Sequence, residues 1–431
     1  MKAHIRYNHK NNDKYFSDIS EIFAKPVRIR KKGSFCYAKA MVMIMYSIKL
    51  LNKISGIENA RLGRKDYVIG ETVKRPDAIM VRSAVMTDME FNPELLCIAC
   101  AGTSVTNIPV ERCTKAGICV FNTPGSNANG VKELTLCSLF LAARRITDGI
   151  EWEKALAGNS SAARLIEKKR AEFAGSELFG KTLGVIGLGA IGGLVANAAV
   201  GLGMKVIGCD PYLSVESAWR LSCNVEKATQ SDIFAEADYI TLHIPLTPQT
   251  KNLINRQTLS EMKDGVRIIN LSNAGVVDAE AIASALASGK VASYVTDFAA
   301  PSLIGLDGVV AIPHLGSLTA ESDANCALMA ADQIDNFIRN GNIKNSVNFP
   351  DVSVPFSGST RVCIFHDNIP NMIAQISAAF SEEKLNIDNL VGMTRGDNAY
   401  SIIDINTDLP VQILNRLNMI KGINRVRIIN K

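Results

Sequence analysis

A glycine-rich hexapeptide and a few scarce imidazoles carry the chemistry this sequence offers. Gly187-Leu188-Gly189-Ala190-Ile191-Gly192 fits the spacing G-x-G-x-x-G. The apolar run Leu183–Ile186 precedes it, small residues follow, and a second strand-like run ends at Asp210, 18 residues past Gly192. In such a strand–turn–helix the first glycine permits the tight turn. The second lets backbone approach a pyrophosphate, and the third lets helix pack on strand. The N–H groups at the helix start, around Ala190 and Ile191, then face phosphate oxygens. Asp210 would accept hydrogen bonds from an adenine ribose and repel a 2′-phosphate. Pro211 and Tyr212 follow it with no arginine, which favours NAD over NADP.

Of the five histidines, His4 and His9 lie near the start, while His243, His314 and His366 each end a strand-like run. His314 ends the last run of the dinucleotide-binding section. Ligands sit outside the carboxyl ends of such strands, and an imidazole there can pass a proton to a carbonyl or take one from an alcohol. No metal-ligating cluster is expected.

The elements that must position these groups alternate. Strand-like runs at Met45–Leu51, Ala78–Val81, Leu95–Ala101 and Cys119–Phe121 lead into a helical pattern over Val131–Arg145. Between 180 and 314 the runs Leu183–Gly187, Lys205–Cys209, Tyr239–His243, Arg267–Leu271, Ser293–Thr296 and Val309–Ile312 are mostly separated by helical segments, and a helix is expected around Ala320–Arg339. Apolar strands alternating with helices predict a doubly wound parallel sheet. Residues 342–359, with two prolines, read as a linker. Residues 360–431 read strand, helix, strand, strand, helix, strand: Arg361–Phe365, Ile369–Phe380, Ile387–Met393, Ala399–Asn406, Pro410–Asn418 and Val426–Ile429. That order is the ferredoxin-like split βαβ arrangement.

Composition narrows the partners. The 431 residues are 47% hydrophobic and 21% charged, which is ordinary for a globular chain of several domains. The net charge of +5 is local: residues 1–44 hold ten basic and three acidic side chains, leaving 37 basic against 39 acidic. A near-neutral body offers no footprint for nucleic acid. No apolar run reaches the ~18 residues a membrane span needs, so no membrane partner is expected. The basic leader fits an upstream start or dispensable tail, a targeting segment, or a functional arm. Ten scattered cysteines point to buried thiols in a reducing, cytoplasmic setting. Cys97-Ile-Ala-Cys100 has redox spacing but falls in a strand-like run, where core packing is the expected role.

Gly180–Gly193, Leu242-His243-Ile244-Pro245-Leu246-Thr247, Asn270–Asp278 and Pro313-His314-Leu315-Gly316 resemble the signatures of NAD-dependent D-2-hydroxyacid dehydrogenases. Asn122–Asn129 and the last 72 residues resemble the phosphoglycerate dehydrogenase branch of that family, which carries a C-terminal ACT domain. The resemblance runs from about residue 45 to the end and puts Met45 near the usual start. It implies a flavodoxin-like substrate domain (45–137 with 321–341), a Rossmann-type NAD domain inserted in it (138–320), and an ACT domain (360–431). It implies hydride transfer between NAD and a 2-hydroxy or 2-keto acid, phosphorylated in this branch. His314 falls on the proton-exchanging position and Asp297 on the partner of the nicotinamide carboxamide. His243 and Pro245 fall beside the cofactor, and Ser83, Thr103, Ser104 and Asn127 in the substrate loops. His366, Asn368 and Asn386 fall on positions that bind L-serine as effector. ACT modules pair edge to edge, implying a homodimer or homotetramer.

Two catalytic positions depart from the pattern. Asn273 stands where the family has its arginine, and Pro301 where it has the glutamate that supports the histidine. Cys100 replaces the arginine that usually opens the substrate loop. Losing a preorganised electrostatic donor costs about 10²–10³ in turnover. The resemblance therefore implies NAD-dependent oxidation of D-3-phosphoglycerate, or the reverse reduction, as the first step of serine biosynthesis under serine feedback. The alternative is a catalytically degenerate relative that binds NAD and serine. A third reading is a different 2-hydroxyacid as substrate.

Overall fold

The computed structural model describes residues 45–431 apart from Arg64; the leader expected over 1–44, with His4 and His9, lies outside the described residues. Three sheets organise the described chain. The first joins β1 (Tyr46–Leu50), β2 (Tyr67–Gly70), β3 (Ala78–Val81), β4 (Cys97–Cys100) and β5 (Cys119–Phe121) in the order β2-β1-β3-β4-β5. All its pairings are parallel. That order is flavodoxin-like. β3 and β4 are buried at every residue, as continuous apolar strands covered on both faces must be. Cys97 and Cys100 lie on opposite faces of β4, in separate cores, because side chains alternate along a strand. Burial pushes their thiols up to about 12 and about 11, so both serve packing.

The second sheet contains β6 (Thr182–Ile186), β7 (Lys205–Cys209), β8 (Val225–Lys227), β9 (Tyr239–Leu242), β10 (Val266–Asn270), β11 (Val291–Thr296) and β12 (Val309–Ala311). Its order is β12-β11-β10-β9-β6-β7-β8, the doubly wound arrangement that reverses direction between β6 and β9. Strand ends differ from the sequence expectation by a residue or two. The helix expected over 131–145 runs Ala128–Ala143, since Arg144 is already extended.

β13 (Thr360–Asp367), β14 (Asn389–Arg395), β15 (Asn398–Ile405) and β16 (Ile423–Asn430) form an antiparallel sheet in the order β14-β15-β13-β16. Helices Met372–Glu382 and Val411–Met419 pack on one face. The other face joins the core of the first sheet and of helix Ala320–Asn340: Phe121 meets Phe337 at 5.6 Å, and Phe365 meets both Phe349 at 4.7 Å and Tyr400 at 4.6 Å. The expected linker 342–359 is thus packed rather than free. Ile343, Phe349 and Val352 are buried in that core, and Ile343 and Val352 form an antiparallel bridge. The two prolines do not keep the segment free of the body, because Phe349 and Val352 on either side of Pro350, with Ile343, find a core to enter. Arg361 and Asp404, opposite each other on β13 and β15, form a fully buried ion pair at 2.6 Å. Arg361 also donates to the carbonyls of Asn340 and Pro355, which satisfies the charge that burial would otherwise penalise. Among the described residues, no helix is long and apolar enough to cross a membrane.

Candidate active site

A cleft of about 840 Å³ opens where the carboxyl ends of the first two sheets face each other. The glycine turn follows β6 and forms one wall. Gly187 has φ of 92°, and a Cβ there would lie 2.4 Å from the His243 carbonyl oxygen. A Cβ on Gly192 would lie 1.9 Å from the Gly187 oxygen. Both glycines are buried and serve strand–turn–helix closure. Gly189 differs: a Cβ there meets nothing within 4 Å, and with Ala190 and Ile191 it lines the cleft. Open space above turn backbone at the start of helix Gly192–Gly201 is what a pyrophosphate needs.

Asp210 directly follows β7 and lines a second cavity of about 530 Å³, beside Gly208 and Pro211. Its carboxylate accepts from the N–H of Leu188 at 3.0 Å and of Tyr212 at 2.9 Å. Asp210 therefore also braces the turn, with lone pairs left over for sugar hydroxyls. His243 and Pro245 follow β9 into the cleft. The His243 backbone and Cβ approach the turn, and its ring pairs with the Thr241 hydroxyl at 3.0 Å. Burial pushes its pKa down to about 4, so the ring is neutral.

Asp297, at the end of β11, is 5% exposed, and its Oδ1 has no hydrogen-bond partner. Burial raises its pKa, against the opposing charge of His314 and N–H donation from Gly316. A buried, unpartnered acceptor facing the cleft fits an incoming amide N–H, as the nicotinamide carboxamide would supply. Together with the open cradle over Gly189, this fits NAD.

His314 lies in the loop after β12, exposed to the cleft, with its ring 4.3 Å from that of Phe298. Asn273 reaches the cleft from the turn after β10. Buried Asn270 shapes that turn, accepting from Ser272 N–H and hydroxyl and donating to the Asn273 carbonyl at 2.9 Å. Asn273 Oδ1 caps Gly275 N–H at 3.0 Å. Pro301 is a correction: it opens the short helical turn Pro301–Leu303 on the surface and is not part of the cleft wall. Its fixed φ suits the first position of a turn. Asp297 is thus the one carboxylate on the cleft wall among the described residues, and no glutamate backs His314 there.

Ser83, Thr103, Ser104 and Asn127 all line the cleft. Sequence reasoning missed Arg82, the one guanidinium on that wall among the described residues. It donates to the Ala101 carbonyl at 2.8 Å and meets Asp323 at 3.2 Å. Its place at the carboxyl end of β3 was the available signal. Asn52 was missed as well: its Oδ1 accepts from the N–H groups of Arg82, Ser83 and Ala84 and so shapes the loop.

The C-terminal sheet has its own cavity of about 310 Å³, lined by His366 and Asn368. The His366 ring is spoken for within the chain, with Nδ1 against the Asp367 carbonyl and Nε2 against the Ser401 hydroxyl, both at 2.9 Å. Asn386 lies apart from these two within the chain. It is exposed, donates to Asp388 at 3.2 Å and does not line that cavity, because it precedes β14 at the far end of the strand that borders it.

Residues 137–316 match the model of the D-isomer specific 2-hydroxyacid dehydrogenase NAD-binding domain. The chain belongs to the D-isomer specific 2-hydroxyacid dehydrogenase family. It is 31% identical to the D-3-phosphoglycerate dehydrogenase of Escherichia coli K12 over 382 residues, covering 84% of this chain and 89% of that protein. It is 32% identical to the D-3-phosphoglycerate dehydrogenase of a Synechocystis species over 84% of this chain, and there it spans 65% of the relative's length. Among solved structures it resembles the NAD⁺-bound 3-phosphoglycerate dehydrogenase of Entamoeba histolytica, at a TM-score of 0.52 and 26% identity over 70% of this chain and 99% of that one.

Proposed function

We propose that the chain interconverts D-3-phosphoglycerate and 3-phosphohydroxypyruvate with NAD, the first step of serine biosynthesis, and that L-serine acts back through the C-terminal ACT domain. The observation that carries this reading is His314 exposed on the cleft wall that also holds the open glycine cradle and the unpaired Asp297 oxygen. When bound, NAD supplies the hydride acceptor. His314 takes the hydroxyl proton in oxidation and returns it in reduction. Arg82 binds an anionic end of the substrate through its planar fork. Asn273 donates a neutral hydrogen bond where relatives place a charge. Asp297 orients the carboxamide, and hydroxyls of Ser83, Thr103 and Ser104 with Asn127 line the substrate side.

In this reading 45–137 with 321–341 bind substrate, 138–320 bind NAD, 342–359 connect, and 360–431 regulate. His366 and Asn368 of one protomer and Asn386 of another would share the effector, which fits their separation within one chain. A homodimer or homotetramer is supported further by Ile146 and Ile150, exposed on an arm over 146–173 that buries none of its own residues. The cytoplasm suits nine unpaired cysteines among the described residues.

A second reading, a non-catalytic relative that binds NAD and serine, is favoured by Asn273 and by the missing carboxylate behind His314. Steady-state NADH oxidation with 3-phosphohydroxypyruvate and a panel of unphosphorylated 2-keto acids decides between them. Turnover with the phosphorylated acid, suppressed by serine, is expected. NADH binding without turnover of any acid would establish the second reading instead.

A further inference from the structure

Behind the active-site cleft lies a cavity of about 520 Å³ that the dehydrogenase reading does not use. Its floor is one face of helix Ala320–Asn340: Asn325, Leu328, Met329, Asp332, Gln333 and Asn336 recur at helical spacing. The opposite face, with Cys326, Ala330, Ile334 and Phe337, is buried in the core. Lys344 and Asn345 close the cavity from the segment after the helix, and Gly125 and Ser126 from the turn before helix Ala128–Ala143.

Gln333 shows that this is more than a surface dent. It is 8% exposed, and its Nε2 donates to the Asn122 carbonyl at 3.0 Å. That contact fixes the amide's orientation, since the flipped form would set two acceptors together. The Oε1 is left buried without a partner, so it requires a donor. Asp332 adds negative charge on the helix side of the lining and Lys344 a positive one from the segment after the helix. Asp332 lines the cavity, whereas Asp335, three positions on, is taken up by Arg339. Leu328 and Met329 offer apolar surface between the charges.

We propose that this cavity is a second small-molecule site, built for a free α-amino acid. Asp332 and Gln333 Oε1 receive the α-ammonium, Lys344 receives the α-carboxylate, and the side chain lies over Leu328 and Met329. The volume is in the range of small-molecule sites, and a zwitterion matches both charges where a simple amine or carboxylate matches one. The site backs onto the cleft. Gly125 lines both cavities, and Asn122, which receives Gln333, donates to the Thr103 carbonyl at 2.8 Å. Thr103 lines the cleft, so an occupant of the rear site bears on the substrate loop through two hydrogen bonds.

Calorimetry on the full chain with each of the L-amino acids other than serine, which the proposed effector site takes, titrated singly, tests this without requiring turnover. At least one is expected to bind, with affinity reduced tenfold or more by Gln333→Leu and by Lys344→Met and retained in His366→Ala. Lys344 is exposed, so its variant folds whatever Gln333→Leu does. Ethanolamine and acetate are expected to bind at least tenfold more weakly than the amino acid. The proposal is overturned if no amino acid binds, if Lys344→Met leaves binding intact, if His366→Ala alone abolishes it, or if either half-ligand binds as tightly.

Discussion

Asn273 occupies the turn after β10 with its carboxamide oxygen committed to Gly275 N–H, so only its NH₂ remains for a substrate. A neutral donor holds an anion less firmly than a guanidinium fork. Asn273→Arg is expected to raise kcat/KM toward 3-phosphohydroxypyruvate by roughly 10²-fold. It gives up the cap, at about 1 kcal/mol of stability by urea denaturation. An unchanged kcat/KM in a folded variant would show that position 273 does not contact the substrate's anion. His243 makes a claim about pH. Its folded pKa of about 4 lies below the ordinary ~6.5, so the unfolded chain binds its proton first as pH falls. The stability this ring contributes is complete above pH ~6.5 and is lost as pH drops through its folded pKa. Between pH 7 and 4.5 the loss is about 2 kcal/mol, and His243→Asn is expected to remove that part of the slope in urea melts.

The glycine turn separates two jobs that the motif writes as one. Gly192→Ala drives a methyl into the Gly187 carbonyl; the strand–helix junction must shift, costing about 1–3 kcal/mol. Gly189→Ala meets no protein atom within 4 Å. It should melt like the parent chain while weakening NADH binding, since the methyl takes space reserved for phosphate. Fluorescence titration of NADH beside thermal melts reads both. Equal thermal losses in the two variants would contradict the assignment.

At the scale of the whole described chain, the C-terminal sheet is fused to the first sheet rather than tethered. Phe121, Phe337, Phe349, Phe365 and Tyr400 form one aromatic seam across both sheets and the segment between them. Arg427 reaches from β16 to the Phe337 carbonyl at 2.8 Å, and Tyr400 to that of Gly341 at 2.6 Å. A chain ending at Asn340 uncovers this seam and is expected to aggregate on expression, unlike a chain whose regulatory domain hangs on a free linker. Recovery of a soluble, NADH-binding 45–340 fragment would refute the fused arrangement.

Local physics sufficed for the strand–turn–helix at 183–192, the acidic end of β7, the alternation that yields parallel sheets, and the split βαβ order at the C-terminus. Each depends on residues close in the chain, where turn chemistry and periodicity act directly. It also placed His314, because the carboxyl end of a strand is legible from the strand. Proximity through space could not be read this way. Pro301 and His314 are near in sequence, yet only His314 faces the cleft, since the proline starts a surface turn. Arg82 enters the site because Asn52 and Asp323, from distant segments, hold its loop and its side chain. Asn386 parts from His366 because β14 runs along the outer edge of its sheet. The linker became core because Ile343, Phe349 and Val352 met an uncovered face supplied by the first sheet, helix Ala320–Asn340 and the C-terminal sheet.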